Sequence, residues 1–502
     1  MKQLEAYLQQ YGKDVNPVMA AYVAQLENVA SVLPSAASSV VKELKDQRTH
    51  LKLIASENYC SPAVQAAMGN LLTDKYSEGF AYHRFYAGCE NVDAIESQAV
   101  HIACDLFGAE HAYVQPHSGA DANLCAYWAV LNEVVQNPIL EKLGETNLNH
   151  LSREQWNEIR KQTGNQRILG LDYYSGGHLT HGYRQNVSAQ MFDAYSYSVD
   201  EKTGLLDYEE IRRQADEIKP LILLAGYSAY PRKVNFRKMR EIADVCGAVL
   251  MCDMAHFAGL VAGKVFEGDF DPVKWCDIVT TTTHKTLRGP RGGMILCKQR
   301  FASSVDKGCP LVIGGPLPHV MVAKAVALKE ASEPEFAVYA HRIVENSQAL
   351  AQACVDNGIP VATGGTENHL MLLDVRKFGL NGRQAESALR ECGITLNRNA
   401  LPFDPNGPWY TSGLRLGTAA VTTLGMGPEQ MKEIASVISL VLNSTKPAKI
   451  TKGENAGTFS KSKAITDEKT IKQATETVLN LLKKFVLYPE LDLDFLEKSF
   501  CL

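Results

Sequence analysis

The sequence predicts an α/β protein: a mostly parallel sheet covered by helices in a large domain, followed by a smaller α+β unit. Two observations carry this. From Tyr113 onward, short apolar or β-branched runs (AYV, RILGL, LILLAG, AVLMC, DIVTT and GGMILC) alternate with helical segments, the pattern of strands buried on both faces. After about Ala331 the texture changes to one long helical stretch, AVYAHRIVENSQALAQACVDNG, followed by shorter strands such as HLMLLDV and GLRLGT.

In chain order, residues 1–70 read as an N-terminal helical arm, amphipathic and punctuated by Pro17 and Pro34. Residues 71–330 make the large α/β domain, in which 137–166 is a polar insertion. The insertion is helical in part, because Ser152 and Gln155 are spaced as a capping box before QWNEIRKQ. Residues 331–502 make the small domain. Within it, 444–470 is rich in Lys, Thr, Ser and Gly with little to bury, so a mobile loop is expected before the last amphipathic helix, IKQATETVLNLLKKFV.

Composition narrows the function. Of 502 residues, 45% are hydrophobic and 21% charged, which is globular, and a net charge of −5 argues against a general polyanion binder, so no nucleic-acid partner is expected. Twelve cysteines without a C-x-x-C pair suit unpaired thiols in a reducing compartment. MKQLEAYLQQYGKD shows no signal peptide, and the longest apolar stretch, AVLMCDMAHFAGLVAG, is broken by Asp253 and His256. A cytoplasmic protein without membrane contact is expected.

Ligands of parallel sheets bind beyond the carboxyl ends of the strands. The polar residues after four predicted strands, QPHSGADAN, YSAY, DMAH and THK, therefore converge on one edge. In VTTTTHKTLRGPRGGM, Lys285 follows four threonines and His284. An amine attacks a carbonyl only when unprotonated, which burial or nearby cations such as Arg288, Arg291 and His284 would favour; the bland alternative is a solvated lysine in a basic loop. Asp253, a carboxylate at a strand end, needs a cationic partner, and the protonated ring nitrogen of pyridoxal phosphate is one. His256 could hydrogen-bond that ring's phenolic oxygen, although a D-x-x-H pair is as readily a cap or a metal-ligand pair. Ser118 and Gly119 open a helix where free N–H groups favour a phosphate, and Ser-Gly before a helix is also common capping chemistry. His178 and His181 in SGGHLTHG could stack on an aromatic cofactor or bind a metal with Asp253 or His256; the reading taken is no metal. Arg415 offers a bidentate clamp for a carboxylate, or a structural salt bridge.

LIASENY from Leu53, KYSEGF from Lys75, QPHSGADAN, GGHLTHG, DMAHFAGLVAG, TTTTHKTLRGPRGG and TSGLRLGT, in that order, resemble serine hydroxymethyltransferases from about Leu51 to the last helix. The insertion is similar to that of chlamydial-type members. The resemblance implies the aspartate-aminotransferase-like fold of fold-type I pyridoxal 5'-phosphate enzymes and a homodimer with shared active sites. It implies the reversible conversion of L-serine and tetrahydrofolate, the co-substrate, to glycine and 5,10-methylenetetrahydrofolate. Lys285 would carry the cofactor as a Schiff base, Asp253 would pair with the pyridinium, His178 would stack on the ring, and Ser228 with His256 would contact its phenolic oxygen. Ser118, Gly119 and His284 would hold the phosphate, helped by Tyr76 and Gly315 of the partner subunit. Arg415 and Ser56 would bind the amino-acid carboxylate, with Gly177 on the substrate side. Glu78 of the partner subunit would transfer the proton, with Tyr86 beside it, and Leu179 and Asn399 would flank the folate.

The chain departs from the family pattern in places. The phosphate segment usually reads SGSQAN and here has Ala120 and Asp121; paired tyrosines become Phe85-Tyr86; PGGQGGP becomes PLVIGGP; and Tyr173 and Tyr174 replace smaller residues. A folate-independent threonine or β-hydroxy-amino-acid aldolase is the alternative, and Glu78 with the loop LPFDPNGPWYTSG tells against it. A noncatalytic protein whose 444–470 segment touches RNA is a third reading, opposed by Lys285, Asp253 and Arg415.

Overall fold

The computed structural model describes residues 2–453 and 456–501. Its central sheet has seven strands: β1 (His111–Tyr113), β2 (Arg167–Leu171), β3 (Asp193–Tyr197), β4 (Ile222–Gly226), β5 (Val249–Asp253), β6 (Ile278–Thr282) and β7 (Gly293–Cys297). They lie in the order β1-β7-β6-β5-β4-β2-β3. Every neighbour from β6 to β3 pairs parallel, whereas β7 runs antiparallel to both β6 and β1. Two reversals cancel, so β1 points the same way as β6, and the carboxyl ends of β1, β4, β5 and β6 share one edge as expected. Alternate residues explain the continuous apolar runs: Leu223 and Leu250 enter the core on one face, Ile222, Leu224 and Met251 that on the other. The edge strand β3, DAYSY, was not expected, because it is largely solvent-facing and carries no apolar run.

In the smaller unit β8 (Leu370–Asp374), β9 (Asn397–Asn399) and β10 (Gly413–Gly417) form an antiparallel sheet with β10 in the centre. Helices Pro334–Asp356 and Pro428–Ser444 cover it. The N-terminal helices Lys2–Tyr11, Pro17–Val32 and Pro34–Thr49 are not free-standing; Met19, Val23 and Val41 share a core with Phe495 and Leu496 of the helix Leu493–Phe500. Leu51–Lys52 then pairs with Ile394–Thr395, which places Leu51 and Leu53 in the small unit's core.

The insertion carries helices Asn137–Leu143 and Arg153–Gly164, and the capping box between Ser152 and Gln155 is formed in both directions. The expected loop at 444–470 is corrected. Thr445–Lys449 and Phe459–Thr466 form an antiparallel hairpin, while residues 454–455 lie outside the described residues. Its inward side chains are small and polar: Thr445 and Thr466 meet at 2.9 Å, and Gln384 donates to the carbonyl of Ser460 at 2.6 Å. Hydrogen bonds, rather than apolar burial, hold this hairpin on the helix Gly382–Glu391.

Candidate active site

The threonine tract is wholly buried, and each hydroxyl has a use. Thr280 donates to Asn123 Oδ1 at 2.5 Å, Thr282 to the carbonyl of Ala255 at 3.1 Å, and Thr283 to that of Pro290 at 2.6 Å. Thr281 turns back to the carbonyl of Thr282, and Thr286 binds that of His256 at 2.9 Å. A buried hydroxyl left unpaired would cost about 1–3 kcal/mol. These bonds tie the end of β6 to the loop after β5, so Lys285 leaves the strand from a fixed backbone. Asn58 adds a bond to the Lys285 carbonyl at 2.9 Å.

Lys285 lines a cavity of about 310 Å³ with Asp253, His284, Ser118, Gly119 and Ser56. Burial pushes its amine down to about 8; Asp253 opposes the shift and Arg415 and Arg291 assist it. Arg288, one of the cations expected to act here, does not. Its backbone has φ +62° and its guanidinium stacks 4.8 Å from the Tyr339 ring.

Asp253 ends β5 on the cavity floor. Burial would raise its carboxyl, but His181 at 3.5 Å, His178 and the amide of Asn123 at 2.8 Å hold it below the usual carboxylate range. Asn123 is fully used: its amide also donates to Thr180 Oγ1 at 2.8 Å while its carbonyl oxygen accepts from Thr280. The Thr180 N–H donates to His178 Nδ1 at 3.3 Å, with the Thr180 hydroxyl 2.7 Å from the same nitrogen. Nδ1 is thus the acceptor, and Nε2 carries the proton. Burial lowers the His178 pKa to about 4, so the ring is neutral at pH 7.

At the anion end, Ser118 caps the helix Gly119–Val130. Its hydroxyl, expected to face a phosphate, instead accepts from the Asp121 N–H at 3.1 Å and donates to the Asp121 carboxylate at 2.9 Å. Gly119 also meets a packing demand: a Cβ there would sit 2.6 Å from Thr282 Cγ2. His284, lowered to about 3 by burial with Lys285 and Arg291 nearby, has a buried Nδ1 with no partner.

A second cavity of about 230 Å³ adjoins the first, sharing His178 and Ser228, and is lined by Gly177, Leu179, Asn399 and Arg415. Arg415, on β10, donates to Asn397 Oδ1 at 3.1 Å and to the Ser228 carbonyl at 2.6 Å. Burial lowers it to about 10. Among the described residues no carboxylate lies within ion-pair distance of it, which removes the structural salt bridge as its explanation. A half-buried guanidinium that faces a cavity without a counterion can receive an anion.

These features can be set against known proteins. The sequence profile described as "Serine hydroxymethyltransferase" matches residues 30–163 and 161–438. A protein of that name from Treponema pallidum is 62% identical over 498 residues, 99% of this chain and 86% of its own length. Those from Salinispora tropica and Chlamydia trachomatis serovar L2 are 55% identical (95% of this chain, 99% of theirs) and 50% identical (96% of each). The chain belongs to the serine hydroxymethyltransferase family. The expected fold class and the motif resemblance stand with it.

Set against the serine hydroxymethyltransferase pattern, His256 and the group expected in the partner subunit's site line neither cavity of this chain. His256 lines neither cavity; it is buried, with Nδ1 3.2 Å from Nε2 of His369, and burial beside Lys285, Arg415 and His369 lowers it well below its ordinary value. Tyr76, Glu78, Tyr86 and Gly315 line neither cavity but meet one another: Tyr86 donates to Glu78 Oε2 at 3.0 Å, its ring is 5.4 Å from that of Tyr76, and Gly315 abuts the Tyr76 ring. Tyr76 is 61% exposed and Tyr86 45%. Asn123, Thr180 and His369 were missed. Asn123 closes the SGADAN motif and Thr180 lies inside GGHLTHG, so position alone could have raised both. Nothing in the sequence marks His369.

Proposed function

We propose that the chain interconverts serine and glycine with tetrahydrofolate as one-carbon acceptor, as a cytoplasmic homodimer with pyridoxal phosphate at Lys285. The observation that carries this is the pair of joined cavities. One sets a depressed lysine amine beside a buried carboxylate, and the other holds a half-buried guanidinium with no counterion among the described residues.

The residues present fit the cofactor. Asp253, kept ionised, can accept from a pyridinium N–H, His178 is held by Thr180 with its ring neutral, and the unpaired His284 Nδ1 lies by the helix N-terminus where a phosphate would sit. When bound, pyridoxal phosphate supplies an electron sink for the bond broken at the amino acid's α-carbon. Arg415 binds the substrate carboxylate and so fixes which α-carbon bond faces the sink. Ser56 would bind the same carboxylate from the Lys285 cavity, Ser228 lies between the two cavities, and Leu179 and Asn399 form the wall on the folate side. Glu78 of the partner subunit moves the proton of the serine hydroxyl, and Tyr86 orients it. The grouping of Tyr76, Glu78, Tyr86 and Gly315 on an exposed face supports their acting in the partner's site.

Purified protein should form glycine from serine with tetrahydrofolate present and fall to a trace without it. Borohydride reduction and peptide mapping should find a pyridoxal adduct on Lys285, and Lys285→Ala should lose both adduct and turnover. Equal turnover without folate would point to an aldolase. An adduct on another lysine would overturn the site.

A further inference from the structure

Lys324, on the helix Pro318–Ala331, is 1% exposed. Its Nζ donates to three backbone carbonyls: Val114 at 2.5 Å, Pro116 at 2.9 Å and Gly293 at 2.8 Å. Three donated protons require the ammonium form. Burial presses the amine toward neutrality, down to about 7, while Glu96 and Asp121 favour the charge. No carboxylate lies within ion-pair distance of it among the described residues, so its direct partners are the three carbonyl dipoles.

The three carbonyls belong to the two segments that build the anion end of the cavity. Val114 and Pro116 lead from β1 into Ser118, and Gly293 opens β7, its N–H bonded to the Pro116 carbonyl at 2.9 Å. A Cβ on Gly293 would sit 2.1 Å from the Ser118 carbonyl oxygen, and one on Gly292 would sit 2.5 Å from Lys324 Cε, so glycines let both backbones close around the amine. Asp121 meanwhile places a carboxylate on Ser118 in this same cup.

We propose that Lys324 is a positioning residue for the cofactor phosphate: its ammonium clamps the segment leading to Ser118 against Gly293, and its charge offsets that of Asp121. The inference rests on the pyridoxal phosphate reading above. It concerns only the phosphate, so pyridoxal, which lacks that group, is the control. In wild type, titration by absorbance should show tighter binding of pyridoxal phosphate than of pyridoxal. Lys324→Met should weaken pyridoxal phosphate about tenfold or more while leaving pyridoxal unchanged, and adding Asp121→Asn should recover part of the loss. Equal weakening of both ligands, or of neither, overturns the proposal; failure of wild type to bind pyridoxal phosphate overturns the cofactor reading instead. If Lys324→Met does not fold, Lys324→Gln removes the charge and keeps two donors, and the same split is expected. Asp121→Asn alone tests the charge: it should tighten pyridoxal phosphate and not pyridoxal, and no change sinks that part.

Discussion

Burial holds the Lys285 amine below the ordinary lysine value. With the amine lowered to about 8 by burial, with Arg415 and Arg291 adding to the shift and Asp253 opposing it, about a tenth is unprotonated at pH 7 and most of it by pH 9. Uptake of pyridoxal phosphate by cofactor-free protein should therefore accelerate by about tenfold from pH 7 to 9 and then level. Stopped-flow absorbance would show this; a rate still climbing steeply between pH 9 and 10 would give the amine an ordinary lysine pKa. Arg415 makes an equally specific demand. Nε and one Nη1 proton are spent on Asn397 and Ser228, leaving Nη2 and the other Nη1 proton as a two-pronged donor. Arg415→Lys cannot reproduce that fork, so serine KM should rise by about a hundredfold with the melting temperature little changed. An unaltered KM would remove Arg415 from the substrate site.

Between elements, the tightest constraint is the approach of the helix Gly119–Val130 to the end of β6. Gly119→Ala would put its methyl 2.6 Å from Thr282 Cγ2 and push the helix start off the strand, weakening pyridoxal phosphate binding. Thr282→Ser removes that methyl and keeps the hydroxyl bonded to Ala255, so the double variant should recover most of the affinity; no recovery would mean the cost lies in the backbone instead. This contact also shows what sequence can convey. The core strands were legible because both faces are buried, and Lys285, Asp253, Ser118 and Gly119 because they follow those strands at one edge. The packing demand on Gly119 was not, since the methyl it avoids lies 163 positions away, from 119 to 282. The hairpin at 445–466 escaped for a related reason: its inward face is Thr445, Ser460 and Thr466, a polar alternation that resembles a solvated linker until its partner helix is known. Likewise Arg415 read as clamp or salt bridge until the fold showed no carboxylate beside it among the described residues.

At the scale of the molecule, the chain's own geometry divides the expected site in two. Lys285, Asp253 and Arg415 converge through joined cavities, whereas Glu78 and Tyr86 form a separate, exposed pair that reaches neither. Folding the chain more tightly does not bring them together, because Arg84 is anchored to Asp93 at 2.8 Å and binds the carbonyls of Ser77 and Gly79 on either side of Glu78. A second copy can. In the proposed isologous dimer each copy would lend its Glu78 to the other's Lys285. Glu78→Gln and Lys285→Ala should then each be inactive in serine cleavage with tetrahydrofolate. Unfolded together in equal amounts and refolded, half the dimers would be mixed, each with one intact site, so activity should return to about a quarter of wild type. Were Glu78 to serve its own chain's Lys285, no mixed dimer would hold a complete site, and the refolded mixture would stay as inactive as either variant alone.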